Sequence, residues 1–588
     1  MASATPNEEL AGLFAELAEL LVLSGDTSFR VRAYERGARV LSGHDADLAT
    51  LSERELAAIP GVGKAIAAKV AEYLRTGQVQ ALERLRAEVP PGLRALVRVP
   101  GLGPAKARLL HDRLGVTGVE QLAEAVAAGR VAGLPGMGAR TQANLARALE
   151  RLTGGPDAPL GGSEPGIPLA TALPLAERLR DRLAATGGVV AVEVAGSLRR
   201  MKARVHDLDL LAASGEPASL TRVFAGLDDV AEVLALGDTK ASVRTRQGVQ
   251  VDLRVVRPEV WGAALQYFTG STEHNVRVRE LAVKAGFKLS EYGLFTRDGE
   301  LVAAETEEVV YERLGLAWVP PVLREDRGEV EAAARGALPR LVTLADVGGD
   351  LHCHTDLSPD GTAPLEVMAD AARRRGYRFL AVTDHAERLS LGGASREALL
   401  AQRARLRELA SRLHGDLELL HGAELNIGRD GSLDYDDAFL DTFDVLVASV
   451  HDQLDQPRRE LTARLVAACE HPAVNVVGHP TGRLIGNRAA GDVDVEALFR
   501  AAARTGTALE VNGSPRRLDL SDEHVRLAGR FGVLLAFGSD SHGPGHLGNM
   551  RFAVATAGRG WATPERVVNT LPPPELRRFL AKGRKARP

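Results

Sequence analysis

In GSLRRMKARVHDLDLLAA, residues 196–213, a Gly-Ser pair closes one apolar run and, eleven residues after Gly196, Asp207 and Asp209 punctuate the next. Positions i and i+2 of a strand share a face, so both carboxylates point one way while the flanking leucines point the other. Carboxylates this close repel one another unless cations lie between them, which makes divalent metal their natural partner. Asp252 interrupts the otherwise apolar VQVDLRVV, residues 249–256, a strand able to pair beside the first. Three aspartates holding two Mg²⁺ or Mn²⁺ ions suit in-line phosphoryl transfer, one ion for the attacking hydroxyl and one for the leaving pyrophosphate. A surface D-x-D turn is the plain alternative; the Gly-Ser loop and Asp252 argue against it.

Working outward, strand-like runs alternate with helical stretches from about 168 to 320, which predicts an α+β or α/β domain. Beyond Asp350 the spacing changes. Short apolar runs (FLAVTDH from 379, LELLHGAEL from 417, DVLVASVH from 444, VNVVGH from 474, ALEVNG from 508, VLLAFGSD from 533) alternate with helices, and most end in a polar or ionisable residue. That is the arithmetic of a β/α barrel, whose chemistry sits at strand C-termini. Eleven of the 15 histidines lie after residue 350. In DLHCHTDLSPDG, residues 350–361, His352 and His354 stand at i and i+2 just past a strand. His385, Glu424, His451, His479, Asp540 and His542 end later strands. A lone histidine of this kind is usually packed in a core. Eight ligand-type residues at successive strand ends make a metal centre instead. His and carboxylate donors suit Zn²⁺, Mn²⁺ or Fe²⁺ alike. Cys353, between the two histidines, is expected to pack into the barrel, and Arg483 and Arg517 are candidate phosphate ligands.

In front, Leu10, Phe14, Leu17 and Leu21 predict an amphipathic helix over 7–23, with Asn7 as N-cap and Gly25 as its stop. Then one pattern recurs three times: IPGVGKAIAAKV from Ile59, VPGLGPAKARLL from Val99 and LPGMGARTQANL from Leu134. The glycine pairs (Gly61 and Gly63, Gly101 and Gly103, Gly136 and Gly138) permit a tight turn into a helix whose first N–H groups can receive a phosphate without reading sequence. These repeats resemble helix-hairpin-helix motifs.

At 588 residues the chain needs about three to four domains. We expect a helical N-terminal and fingers region at 1–153, a linker at 154–167 (GGPDAPLGGSEPG), a palm and thumb at 168–322, a connector at 323–347 and a phosphoesterase domain at 348–588. A net charge of −4 offers no global basic field, so contact with DNA must be local. Two cysteines suit a reducing cytosol, and the absence of an apolar run of about 20 residues gives no membrane span. The expectation is a cytoplasmic, monomeric protein.

The segments 196–209 and 249–256 resemble those of the family X DNA polymerases, and the resemblance runs over nearly all of residues 7–325. It implies that Gly196, Ser197 and Arg200 bind the triphosphate. YFTGS, residues 267–271, would lie between palm and thumb, with Tyr267 and Phe268 flanking the sugar of the incoming nucleotide and Gly270 a further nucleotide-binding residue. Asn275 would meet the nascent base pair and Arg279 the template strand. Thr272, where the family carries an acidic residue, and His206 beside Asp207 depart from the pattern. Lys69, with Tyr34 as its companion, falls where lyase-active members form a Schiff base, or else it contacts a phosphate. The C-terminal ligand set resembles that of PHP (polymerase and histidinol phosphatase) domains, distorted barrels that bind up to three metals, here Mn²⁺ or Zn²⁺. A ninth ligand would be Asp360 or Asp356, since Pro359 reads as a one-residue insertion. The multidomain α/β architecture so implied is a repair polymerase. It would act on gapped or nicked DNA with deoxynucleoside triphosphates and carry a 3′→5′ exonuclease, with abasic-site endonuclease activity as a further option. A small-ester PHP phosphatase and a DNA-bridging scaffold with relic sites are the alternatives.

Overall fold

The computed structural model describes residues 166–582, apart from 390, 391, 414, 486 and 487. In front it describes residues 6–149, apart from 27–28, 43–47, 49–50, 60, 77, 98, 100–101, 103, 136, 139–140, 143–144, 147–148. The linker expected at 154–167 thus lies almost wholly outside the described residues. Two compact units result, Ala4–Leu160 and Gly161–Glu325 with Glu329–Pro588.

The first unit is helical. Its opening helix spans Pro6–Leu23, so Asn7 falls inside it rather than capping it, and Gly25 ends it at φ +95°. Leu10, Phe14, Leu17 and Leu21 all enter one core with Val62, Leu102 and Met137. Those last three are the residues between the paired glycines, and each donates its backbone N–H three residues back: Val62 to Ile59, Leu102 to Val99, Met137 to Leu134, at 3.0 Å in every case. The sequence repeat is therefore a repeat of one turn, pinned by an apolar side chain below it. Gly61 and Gly63 take φ +97° and +59°, the left-handed region that glycine enters without penalty, as the chain passes from helix Glu53–Ala58 into helix Gly63–Thr76. Gly138 is exposed, whereas Gly101, Gly103 and Gly136 lie outside the described residues.

The second unit begins with a five-stranded sheet. Its strands are β1 (Val189–Val194), β2 (Leu208–Ser214), β3 (Val230–Leu236), β4 (Lys240–Thr245) and β5 (Gln250–Val256), in the order β1-β2-β5-β4-β3. β2 and β5 run parallel, and Asp209 pairs directly with Asp252. Val251, Leu253 and Val255 alternate into the core under helix Leu169–Ala184, which turns Asp252 to the opposite face. Helices Trp261–Thr269 and Thr272–Lys284 follow, then a three-stranded sheet, β6 (Phe287–Ser290), β7 (Gly293–Thr296) and β8 (Leu301–Ala303).

The C-terminal part is a seven-stranded parallel sheet, β9 (Gly349–Cys353), β10 (Phe379–Val382), β11 (Glu418–Asn426), β12 (Val445–Ser449), β13 (Val476–Val477), β14 (Ala508–Asn512) and β15 (Leu535–Gly538), ordered as in the chain. It closes on itself beyond the strand ends. Cys353 bridges Ser541 in parallel, Asp540 N–H donates to the His352 carbonyl at 3.0 Å, and His354 N–H to the Ser541 carbonyl at 2.7 Å. Cys353 is fully buried, as expected of a packing residue.

The stretch 323–347 does more than connect. Leu323, Val330 and Ala333 share the core of Val278, Leu294 and Tyr311, because its apolar residues are spaced to cover that layer. Leu518 and Phe552 of the barrel likewise pack into the core beneath the five-stranded sheet. The sheet, the helices after it and the barrel thus fold as one unit.

Two candidate metal centres

Asp207, Asp209 and Asp252 each place a carboxylate oxygen within 4.8 Å of the other two. The parallel register of β2 and β5 does this: it sets Asp209 beside Asp252, and the period of two adds Asp207 on the same face. Burial, reinforced by Asp207 and Asp252, pushes Asp209 up to about 7, and burial with the charge of Asp252 also raises Asp207. Like charges packed together without a cation behave this way. An all-oxygen donor set suits a hard divalent ion.

The Gly-Ser turn lies against this cluster. Ala195 N–H donates to the Asp209 carbonyl at 2.8 Å, and Gly196 sits at φ +60°. A Cβ at 196 would overlap the Asp209 carboxylate. We therefore expect Gly196→Ala to lower nucleotide incorporation by on the order of a hundredfold, about 2.7 kcal/mol, by displacing a ligand while the fold survives. Circular dichroism with single-nucleotide insertion assays checks this, and wild-type incorporation by the variant would refute it.

Arg200 is almost buried, with Nε on Glu325 at 3.0 Å and Nη1 on the Thr269 carbonyl at 2.7 Å; Nη2 has no partner among the described residues. Tyr267 and Phe268 are half-buried, their rings edge to face at 5.2 Å, with the Arg254 guanidinium over Phe268 at 5.4 Å. Asn275 is locked: its Nδ2 donates to the Tyr267 carbonyl at 2.7 Å, and its Oδ1 accepts from Gln266 at 2.8 Å. Gly270 takes φ +69° and faces the Arg200 guanidinium. Arg279, one turn on from Asn275, is half-buried and lines a shallow groove with Val276, Glu280 and Val283. Beneath them Glu307 accepts from Arg199 at 2.8 Å and from Arg324 at 2.6 Å. Burial opposes its charge, yet the two arginines hold Glu307 down to about 2. In the helical unit, Lys69 Nζ stands 5.7 Å above the Tyr34 ring and 3.4 Å from the Ala65 carbonyl.

In the barrel, eight predicted ligands converge at the strand ends. Glu424 lies at their centre, 2.9 Å from His385 Nδ1 and His479 Nε2, 3.1 Å from His451 Nε2, 3.4 Å from His352 Nε2 and 3.6 Å from His354 Nε2. Asp540 faces His354 at 3.5 Å and His352 at 4.0 Å, its backbone in the left-handed region at φ +51°. Asp360 pairs with His542 at 3.1 Å and reaches His385 at 3.8 Å, and its bond to His542 holds it down to about 2. Asp356 is exposed, with its backbone N–H on the Ala363 carbonyl.

The donor atoms fall into three overlapping groups, His354/His385/His542, His352/His354/Glu424 and His385/Glu424/His451, each within 4.8 Å. His385 Nδ1, Glu424 Oε2 and His542 Nε2 are buried and form no well-aligned hydrogen bond, only the close pairings of His385 with Glu424 and of His542 with Asp360. Buried imidazoles and carboxylates crowded this tightly are costly unless a cation joins them, so the set fits metal. Arg517 Nε reaches Asp540 at 3.1 Å, and its buried Nη1 is likewise without a hydrogen bond. Arg483 donates from Nε to the Arg517 carbonyl at 2.7 Å and from Nη2 to the Leu518 carbonyl, which braces the loop that carries Arg517.

The supporting residues escaped the sequence reading. Glu510 accepts from His352 Nδ1 at 2.7 Å and from His479 N–H at 2.6 Å. Asn426 Oδ1 faces His451 Nδ1 at 2.7 Å, and Ser358 links His354 Nδ1 at 3.1 Å to Asp384 at 2.6 Å. Each fixes the ring whose other nitrogen points into the cluster. A buried carboxylate in the middle of ALEVNG was the available signal for Glu510.

Comparison with known proteins agrees with this layout. Family models match helix-hairpin-helix domains at residues 5–79 and 93–151, the DNA polymerase beta thumb at 264–325 and the PHP domain at 350–514. The DNA polymerase/3′-5′ exonuclease PolX of Bacillus subtilis (strain 168) is 34% identical over 580 residues, 98% of this chain and 99% of that protein. The chain belongs to the PolX family of DNA polymerases. Two proteins named as probable phosphatases share a shorter stretch with this chain. One, of Thermoanaerobacter sp. (strain X514), is 29% identical over 231 residues, 38% of this chain and 89% of its own. The other, of Syntrophotalea carbinolica, is 30% identical over 229 residues, 37% of this chain and 90% of its own. The phosphatase matches thus span little more than a third of the chain, whereas the Bacillus subtilis match spans nearly all of it.

Proposed function

We propose that this enzyme fills short gaps in DNA from the aspartate centre and trims 3′ ends from the histidine centre. The observation that carries this is that the aspartate cluster and the histidine–glutamate clusters both lie within one compact unit. Asp207, Asp209 and Asp252 would hold Mg²⁺ or Mn²⁺, and the barrel's imidazoles with Glu424, Asp540 and Asp360 would hold up to three Mn²⁺ or Zn²⁺ ions. Metal supplies charge neutralisation at the phosphates and, in the barrel, a water that ionises near neutral pH.

The chain's own groups do the rest. Arg200 Nη2 is free to donate to the triphosphate, and Tyr267 and Phe268 pack against the sugar. Asn275, held by Gln266 and Tyr267, presents a fixed edge to the new base pair, and Arg279 follows on the template side. The hairpin turns grip the DNA backbone through N–H groups and set the duplex without regard to sequence. At the barrel, Arg517 Nη1 is placed to receive the phosphodiester. The reading places this action in the cytoplasm; no described helix is long and apolar enough to cross a membrane. Both centres lie on one chain, so a monomer suffices.

The test is a labelled primer on one-nucleotide-gapped DNA, followed for extension and for shortening in Mg²⁺ and in Mn²⁺. Substitution in one centre is expected to remove one activity and spare the other; loss of both from either centre would refute two independent sites. Lys69 over Tyr34 also supports abasic-sugar chemistry in the helical unit. Borohydride is expected to trap the chain on incised abasic DNA, and Lys69→Ala to reduce trapping by about tenfold or more. Equal trapping by both proteins would assign Lys69 to phosphate contact alone.

A further inference from the structure

The barrel helix Met550–Arg559 ends against the polymerase half of the unit, and its last residue is shared between the two. Arg559 is 5% exposed. Its Nε and Nη2 donate to Asp522, at the start of barrel helix Asp522–Arg530, at 3.1 and 2.9 Å. Its Nη1 leaves the barrel and donates to the Arg200 carbonyl at 2.7 Å and to Glu325 Oε1 at 3.0 Å. That same Glu325 oxygen accepts from Arg200 Nε at 3.0 Å. Arg200 Nη1 in turn donates to the carbonyl of Thr269, the residue before Gly270.

Two arginines thus share one carboxylate, and the barrel's arginine also holds the backbone of the other. An arginine side chain left to itself samples many rotamers, and fixing it before a ligand arrives is where affinity is gained. Arg200 is fixed at three points: its carbonyl, Nε and Nη1. Arg559 supports the first directly and the second through Glu325. Nη2 is then the donor left for a phosphate.

We propose that Arg559, a residue of the exonuclease barrel, is a positioning residue for nucleotide binding at the polymerase centre. The proposal rests on the reading of Arg200 as a triphosphate ligand. It makes the barrel part of the polymerase site's scaffold: the barrel's arginine sets how well the other centre binds its nucleotide.

The test is steady-state insertion of one nucleotide into gapped DNA, with 3′ trimming in Mn²⁺ measured alongside, for the full-length wild type, Arg559→Gln, Arg559→Lys, Asp522→Asn and Arg200→Ala. Arg559→Gln is expected to raise KM for the nucleotide by about tenfold with kcat and trimming within about twofold of wild type. Arg559→Lys, which keeps a cation within reach of Glu325, should recover most of that loss, and Asp522→Asn should show a smaller rise of the same kind. An unchanged KM in Arg559→Gln, while Arg200→Ala raises it, overturns the coupling. Parallel loss of extension and trimming in Arg559→Gln, unrelieved by lysine, overturns it too, because Arg559 is then only a clasp between two folded parts. If Arg200→Ala itself leaves KM unchanged, the reading of Arg200 fails and the proposal falls with it.

Discussion

Asp209→Asn is expected to abolish primer extension, by at least about 10³-fold or on the order of 4 kcal/mol of transition-state stabilisation, while 3′ trimming continues. Asp209 is the aspartate that touches everything: it pairs with Asp252 across β2 and β5, carries the Ala195 bond on its carbonyl, and fills the space that Gly196 leaves open. The amide keeps the shape and removes the charge. Its pH behaviour gives a second readout. In the metal-free protein burial and the neighbouring Asp207 and Asp252 push Asp209 up to about 7 from an ordinary value of 3.8. A carboxyl raised in this way binds more protons folded than unfolded between those values. Its contribution to metal-free stability therefore falls as pH rises from about 4 to 7 and is flat above. Metal must displace that proton, so the stabilisation given by Mg²⁺ should grow over the same interval. Thermal melts of wild type and Asp209→Asn, with and without Mg²⁺, test this. Identical pH slopes for the two proteins would show that the aspartates do not titrate as a cluster.

The aspartates were legible because their signal is local. A period of two within one strand puts Asp207 and Asp209 on a face, and a polar interruption marks Asp252 as its neighbour. The barrel ligands were legible for the same reason, each at the end of an apolar run. Asp360 was open against Asp356 because a loop residue has no periodicity to place it; only the fold shows it meeting His542. Glu510, Asn426 and Ser358 were missed because they act through another side chain. Glu510 lies 158 residues from His352, and no local pattern announces a bond across that distance. One stretch between domains has a role that its sequence did not announce. The stretch 323–347 reads as a connector, and in the structure Glu325 and Arg324 also anchor it under the polymerase site, the latter buried against Glu307. Function was therefore easier to read than scaffold, since the metal ligands stand on one face or at the ends of regular elements while the groups that aim them need only be near in space.

That division of labour makes Glu424→Gln the most informative change in the barrel. One carboxylate faces five imidazoles at 2.9 to 3.6 Å, and burial opposes its charge while His451, His352 and His385 hold it well below the usual carboxylate range. Any ion bound by His352 and His354, or by His385 and His451, shares this residue, since Glu424 belongs to both groups. Neutralising it should empty two sites at once. We expect trimming to fall by about 10³-fold or more, roughly 4 kcal/mol, and metal content by elemental analysis to drop by about two ions per chain at most. Glu510→Gln, one bond further out, should cost less, about 10–100-fold, because it releases the His352 ring without removing a ligand. Extension on gapped DNA should survive both changes, since the polymerase aspartates belong to a separate ligand set. If Glu424→Gln retains its metals and its trimming, the imidazole cluster is a structural core and the exonuclease must lie elsewhere; if it loses extension as well, the two centres are not independent.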